Sequence, residues 1–186
     1  MSKSSLRYKT INLRKLKNRK DIKLDLTKVL NILKKFNYKK KIFGGYYPIN
    51  YEMSVLHILK ELENQNIKIS LPITKKNNQM DFYKWTSNDI LICNKFGIPE
   101  PQKIEKVIPD ILLIPLVSFD NNLFRIGYGG GFYDRYIDKF SKIKKILNIG
   151  IAHSCQRVGK IPFEKYDKKL DMIITEKYII SWKSFF

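Results

Sequence analysis

Four branched apolar residues in a row, Ile111-Leu112-Leu113-Ile114, stand between Asp110 and Pro115. A strand with one wet face alternates apolar and polar positions, so an unbroken run of this length belongs in a sheet covered on both sides. Ile146 to Ala152 and Met172 to Thr175 have the same buried character. Shorter strands are expected at Ile42 to Tyr47, ending at Pro48, at Ile67 to Leu71, and at Met80 to Trp85. Helical spacing links Leu6, Leu13 and Leu16, then Leu26, Val29, Leu30 and Leu33, then Val55, Ile58, Leu59 and Leu62. Phe132 to Phe140 reads as a further helix, and residues 93–109 read as irregular, broken by Pro99, Pro101 and Pro109. Strands alternating with helices predict βαβ units. The expected fold is α/β and three-layered: a largely parallel sheet, flanking helices, a basic N-terminal helix, and one domain over 1–186.

The chain has 186 residues, of which 44% are hydrophobic and 13% aromatic, and this excludes an intrinsically disordered polypeptide. The longest apolar run, Ile111 to Val117, is too short to cross a bilayer. Met1 to Lys20 has no hydrophobic stretch of the secretory kind, and Cys93 and Cys155 have neither zinc nor disulfide-framework spacing. A reducing, cytoplasmic setting is the expectation. The net charge of +19 invites a nucleic-acid reading, but 30 of the 36 basic residues are Lys, whereas base-edge readers favour Arg. Residues 1–60 hold a net +13, a field that attracts any anion, nucleoside triphosphates included. No specific nucleic-acid partner and no membrane partner is expected, and the chain is expected to be a monomer or a weak dimer.

The chemistry concentrates in Arg125-Ile126-Gly127-Tyr128-Gly129-Gly130-Gly131-Phe132-Tyr133-Asp134-Arg135-Tyr136, where four of nine glycines fall within five positions. Glycines let successive N–H groups turn toward one point and let an anion approach without a Cβ in the way. A helix starting after the loop adds its positive end to that point. A simple hairpin turn needs only one or two glycines, and this loop is flanked by charged Arg125 and Asp134. It is neither a dinucleotide fingerprint, because Phe132 occupies the last glycine position, nor a P-loop, because no Gly-Lys-Ser/Thr follows.

Arg125 to Tyr136 resembles the signature of the 5-formyltetrahydrofolate cyclo-ligase family, also called 5,10-methenyltetrahydrofolate synthetases. The similarity extends to Lys3-Ser4-Ser5-Leu6-Arg7, to Tyr46-Tyr47-Pro48 with Glu52, and to Pro72 followed by Met80-Asp81-Phe82 and Trp85. Gly97-Ile98-Pro99-Glu100-Pro101, Gly150-Ile151-Ala152, Gln156, Pro162, Asp167, Asp171 and Ile174-Thr175-Glu176 follow in the family's order. The resemblance implies ATP-driven cyclisation of 5-formyltetrahydrofolate to 5,10-methenyltetrahydrofolate, with ADP and phosphate released. It also implies a fold similar in plan to the sheets of sugar-phosphate isomerases and CoA transferases, although fold alone does not carry function.

Carried over by position, Lys3, Arg7, Arg125, Gly127, Tyr128, Gly129, Gly130, Gly131, Phe132 and Tyr133 are the implied ATP contacts, with Arg125 and Tyr133 catalytic. Lys9, Arg14 and Lys15 are the alternatives to Lys3 and Arg7. Tyr47 and Glu52, with residues 129–132, are the implied folate contacts. Asp134 and Asp171 are the implied Mg²⁺ carboxylates, an ion usually held by one or two such groups plus phosphate and water. Asp134 could otherwise cap the helix, Asp171 end a loop, and Glu52 be an ordinary first-turn residue. Met80, Phe82, Trp85 and Phe96 offer apolar surface for the pterin or aminobenzoate ring. His57 reads as a surface residue, and His153 receives no role. The competing reading is a basic, non-catalytic polyanion- or RNA-binding module on the same scaffold, whose affinity would fall steeply with salt.

Overall fold

The computed structural model describes residues 1–17 and 22–182. The long apolar run forms β7 (Ile111–Pro115), with parallel neighbours on both sides, β1 (Phe43–Gly44) and β10 (Leu147–Ile151). Outward from β1 lie β2 (Ile69–Thr74, parallel), then β3 (Met80–Trp85) and β6 (Lys106–Val107), each antiparallel to its inner neighbour. Outward from β10 lie β11 (Met172–Ile174, parallel) and β12 (Ile179–Ser181, antiparallel). Two small ribbons stand apart: β4 (Ile92–Cys93) with β5 (Pro99–Glu100), and β8 (Ser118–Phe119) with β9 (Arg125–Ile126).

Side-chain alternation along β7 explains the three layers. Ile111 and Leu113 enter one core beneath α2 (Leu26–Lys34) and α3 (Leu56–Asn64), through Val29, Leu33, Ile58, Leu59 and Leu62. Leu112 and Ile114 enter a second core beneath α4 (Phe132–Phe140), through Tyr136, Ile137 and Phe140. Both faces are therefore dry, as the unbroken apolar run requires. Asp25 caps α2, its side chain accepting from the Lys28 N–H at 3.1 Å.

Several sequence expectations need correction. The strand expected over Ile42 to Tyr47 keeps only Phe43–Gly44: from Gly45 the chain peels away beside α3, where a Cβ would come within 2.5 Å of Leu59. The strand expected at Ile67 to Leu71 runs instead from Ile69 through Pro72 to Thr74, because β1 ends opposite Ser70 and leaves Pro72 no inner partner to disappoint. In α1 (Lys3–Lys17) the buried residues are Leu6, Thr10 and Arg14, while Leu16 is exposed. Its inward stripe is thus partly polar, which hydrophobic spacing does not register. Met80, Phe82 and Trp85 are core residues unavailable to a ligand ring, whereas Phe96 is exposed. His57 is half-buried, with Nε2 3.1 Å from the Leu24 carbonyl. Within 93–109, short strand pairs replace the expected irregular chain.

Candidate active site

The sheet changes direction of growth between β1 and β7, one half proceeding through β2 and the other through β10 and β11. In open α/β sheets, ligands bind in the crevice beyond the carboxyl ends of the strands at such a switch. Two segments leave the sheet there: Gly45 to Glu52 after β1, and Leu116 onward after β7. The latter turns through β8 and β9 before reaching the glycine loop. Buried Asp120 shapes that hairpin, its Oδ1 accepting from the N–H groups of Asn122 and Phe124 at 2.9 and 3.1 Å. The Asp120-Asn121-Asn122 turn signal marks this hairpin in the sequence, although the strand and helix periodicities do not register it.

The loop itself has the backbone an anion site needs. Gly129 has φ +106° and Gly131 φ +65°, conformations that side-chain-bearing residues rarely adopt. Gly131 precedes α4 and offers no side chain to cap it. Among the described residues, the N–H groups of Tyr128, Gly129, Gly130 and Gly131 engage no hydrogen-bond acceptor. Two guanidinium groups flank them. Arg7 Nε donates to the Gly127 carbonyl at 2.8 Å, and Arg135 Nη1 to the Gly130 carbonyl at 2.6 Å. A Cβ built on Gly129 would stand 3.5 Å from the Arg7 guanidinium. The signature implies no role for Arg135; its place one turn into α4 is the signal that marks it as a loop cation.

Other expected residues are placed differently. Arg125 is buried and committed inward, donating to the Lys168 carbonyl at 2.6 Å and to Asp134 Oδ1 at 2.9 Å. Asp134 Oδ1 also accepts the Lys168 N–H at 3.1 Å. Lys3 lies on the face of α1 shared by Arg7, but its ammonium pairs with Asp167 at 2.6 Å and Glu164 at 3.0 Å. Asp171 Oδ2 accepts from the Asn148 N–H at 2.7 Å and from its side-chain amide at 3.3 Å. Burial pushes the Asp171 carboxyl above its usual range, against the two Asn148 donors. Asp134 and Asp171 share no hydrogen-bond partner, but the short segment from Lys168 to Asp171 joins their surroundings. Each keeps one oxygen that accepts no hydrogen bond among the described residues. Free carboxylate oxygens of this kind are the hard donors that an oxygen-seeking cation takes, and a cation beside Asp171 would offset its desolvation.

On the segment after β1, Tyr47 is half-buried and Tyr46 is buried, its hydroxyl donating to the Met53 carbonyl. Glu52 Oε2 accepts the Ile49 N–H at 2.9 Å, and desolvation pushes its carboxyl up to about 7, against that hydrogen bond and the nearby Arg14 charge. The Tyr133 hydroxyl is buried beside Glu52 with no hydrogen-bond partner among the described residues, and burial drives its ionisation far upward. Arg14, named only as an alternative from the sequence, is a buried member of this cluster. Its Nη2 donates to the Tyr128 hydroxyl, and its Nη1 to the Leu116 carbonyl at 3.3 Å.

The sequence model of the 5-formyltetrahydrofolate cyclo-ligase family matches residues 2–176. The chain belongs to this family. It is 33% identical over 132 residues to the 5-formyltetrahydrofolate cyclo-ligase of Haemophilus influenzae, covering 67% of this chain and 70% of that one. The Escherichia coli cyclo-ligase is 30% identical over 138 residues, with 70% and 75% covered. Among solved structures, the 5,10-methenyltetrahydrofolate synthetase of Aquifex aeolicus superposes with a TM-score of 0.80 at 30% identity, covering 98% of this chain and 94% of its own. That of Mycoplasma pneumoniae gives 0.65 at 25% identity, with 95% and 100% covered. The cyclo-ligase is thus a ligase of folate chemistry on a mostly parallel α/β sheet, and nothing in these matches supports the polyanion-binding alternative.

Proposed function

We propose that this cyclo-ligase uses ATP to convert 5-formyltetrahydrofolate to 5,10-methenyltetrahydrofolate. The formyl oxygen is a poor leaving group. Transfer of the γ-phosphoryl group to it releases ADP and leaves the formyl carbon bound to a phosphate oxygen and doubly bonded to N5. The N10 lone pair then attacks that carbon, the N10–C bond forms, the C–O bond breaks, and phosphate departs while N10 loses its proton. Catalysis of this kind is positioning and charge neutralisation. The unengaged N–H groups of Tyr128 to Gly131 between Arg7 and Arg135 carry the reading, because they are donors with no acceptor among the described residues.

In this account the triphosphate lies along residues 127–133, and Lys3 joins it on exchanging Glu164 and Asp167 for phosphate. Arg125 acts by orienting Asp134. Glu52 and Tyr47 face the folate, Glu52 accepting hydrogen bonds from the pterin N–H groups, and Tyr133 closes the space between the two substrates. Asp134 and Asp171 would hold Mg²⁺, which neutralises phosphate charge when bound. A cytoplasmic monomer or weak dimer accords with this role. Incubation of the purified protein with Mg·ATP and 5-formyltetrahydrofolate is expected to produce the methenyl chromophore near the violet edge, with ADP and phosphate in equal amounts. A folded sample that yields no chromophore would sink the proposal.

A further inference from the structure

Arg14 is the largest fully buried side chain among the described residues, at 2% exposure. Removing a guanidinium from water costs several kcal/mol in real proteins, and a methionine of similar length would secure α1 more cheaply. Its bonds show where the charge acts. Nη1 reaches the Leu116 carbonyl just beyond β7, Nη2 reaches the Tyr128 hydroxyl in the glycine loop, and buried Nε has no partner among the described residues. The Asn50 side chain stands beside the same Tyr128 hydroxyl, and Asn50 takes φ +46° two residues before Glu52. Three segments remote in sequence therefore meet at one phenol oxygen: α1, the glycine loop and the Glu52 loop.

We propose that Arg14 is a positioning residue for the reaction: by holding Tyr128 against Asn50, it ties the glycine loop and the Glu52 loop into one rigid cradle. Its buried charge also lies near enough to Glu52 to favour the ionised carboxylate. This rests on the cyclo-ligase reading of the site. The groups facing Glu52 are Arg14 from α1, Tyr46 from the segment after β1, Tyr128 from the glycine loop and Tyr133 from α4. The three phenols are all held above their usual range, so near neutral pH Arg14 supplies the only full charge among these four. His153 and Cys155 also feel Arg14; burial lowers the His153 imidazole and raises the Cys155 thiol, which keeps both neutral near pH 7.

The test compares Arg14→Met, Arg14→Lys and Tyr128→Phe with the wild type. Steady-state profiles against pH are read beside the titration of the Glu52 carboxyl in ¹³C-glutamate-labelled protein, the resonance being assigned by its loss in Glu52→Gln. Arg14→Met is expected to move the Glu52 titration and the acid limb of kcat/KM upward by about one unit, with KM for the folate rising about tenfold at pH 7. Arg14→Lys is expected to restore most of the limb, since it keeps the charge, but not the KM, since it lacks the fork. Tyr128→Phe, which keeps the charge and cuts the link, is expected to raise KM with the limb unmoved; it tests the cradle even if Arg14→Met fails to fold. An unmoved Glu52 titration in folded Arg14→Met, or an unchanged KM in Tyr128→Phe, overturns the proposal. Because the titration needs no turnover, a wild type that fails to cyclise its substrate refutes the cyclo-ligase reading separately.

Discussion

Glu52 shows how one residue trades stability for function. Its carboxyl ionises at about 7 in the folded chain against 4.5 for an ordinary glutamate. The folded state therefore holds a proton that the unfolded state releases between these values, so stability falls as pH rises through that window. Glu52→Gln is expected to remove the penalty, raising stability above pH 7 by on the order of 3 kcal/mol while leaving it unchanged near pH 4. Denaturant unfolding at the two pH values measures this, and equal changes at both would count against it. The same substitution is expected to lose substrate binding. Asp134→Asn is a different case. Its neutral amide keeps an oxygen for Arg125 and Lys168 but lacks the charge for a cation, so turnover is expected to fall about 100-fold with a higher Mg²⁺ requirement and little change in melting temperature. A magnesium titration of initial rates, beside a melting curve, checks both parts.

At the scale of elements, the glycine loop and β7 are expected to fail in opposite ways. Gly129→Ala would meet only an ordinary contact with Arg7 at 3.5 Å, so its effect is backbone strain at φ +106°. The loop is expected to shift, costing about 1–3 kcal/mol and raising KM for ATP with little effect on folate affinity. Leu112→Ala in β7 leaves the loop alone and opens a hole between the sheet and α4, where Leu112 is fully buried. A loss of about 2–5 kcal/mol in unfolding free energy, with KM values near wild type, is the expected outcome. The extent of β3 and of α4 could be read from sequence because each shows an uninterrupted local pattern. β1 could not, because its end is set by the approach of α3 to Gly45, a contact between segments.

For the whole molecule, occupancy of the site should register as global stability, since α1 is joined to the glycine loop through Arg7 and Arg14. A nucleotide at 100 times its dissociation constant adds about 2.7 kcal/mol. For a chain of this length that corresponds to a rise of about 5–10 °C in melting temperature. Thermal unfolding with Mg·ATP is expected to show this rise and EDTA to reverse most of it; a rise insensitive to EDTA would remove the metal from the nucleotide site. The net charge of +19 has a looser relation to function. Arg7 and Arg135 flank the loop, but Lys3 is already paired with carboxylates and Arg125 is spent on Asp134.

The order of residues alone determined the sheet class, the place of the central strand and the glycine backbone of residues 127–131. Each of these follows from periodicity or from glycine's backbone freedom, which act over a few neighbouring positions. Only the tertiary structure decided which charges face the crevice. Arg14 and Tyr128 are 114 residues apart, and the buried stripe of α1 that joins them is partly polar, so no apolar pattern marks it. Burial gives Glu52 its raised pKa and Arg14 its influence over it, because desolvation and charge pairing depend on what surrounds a group in space.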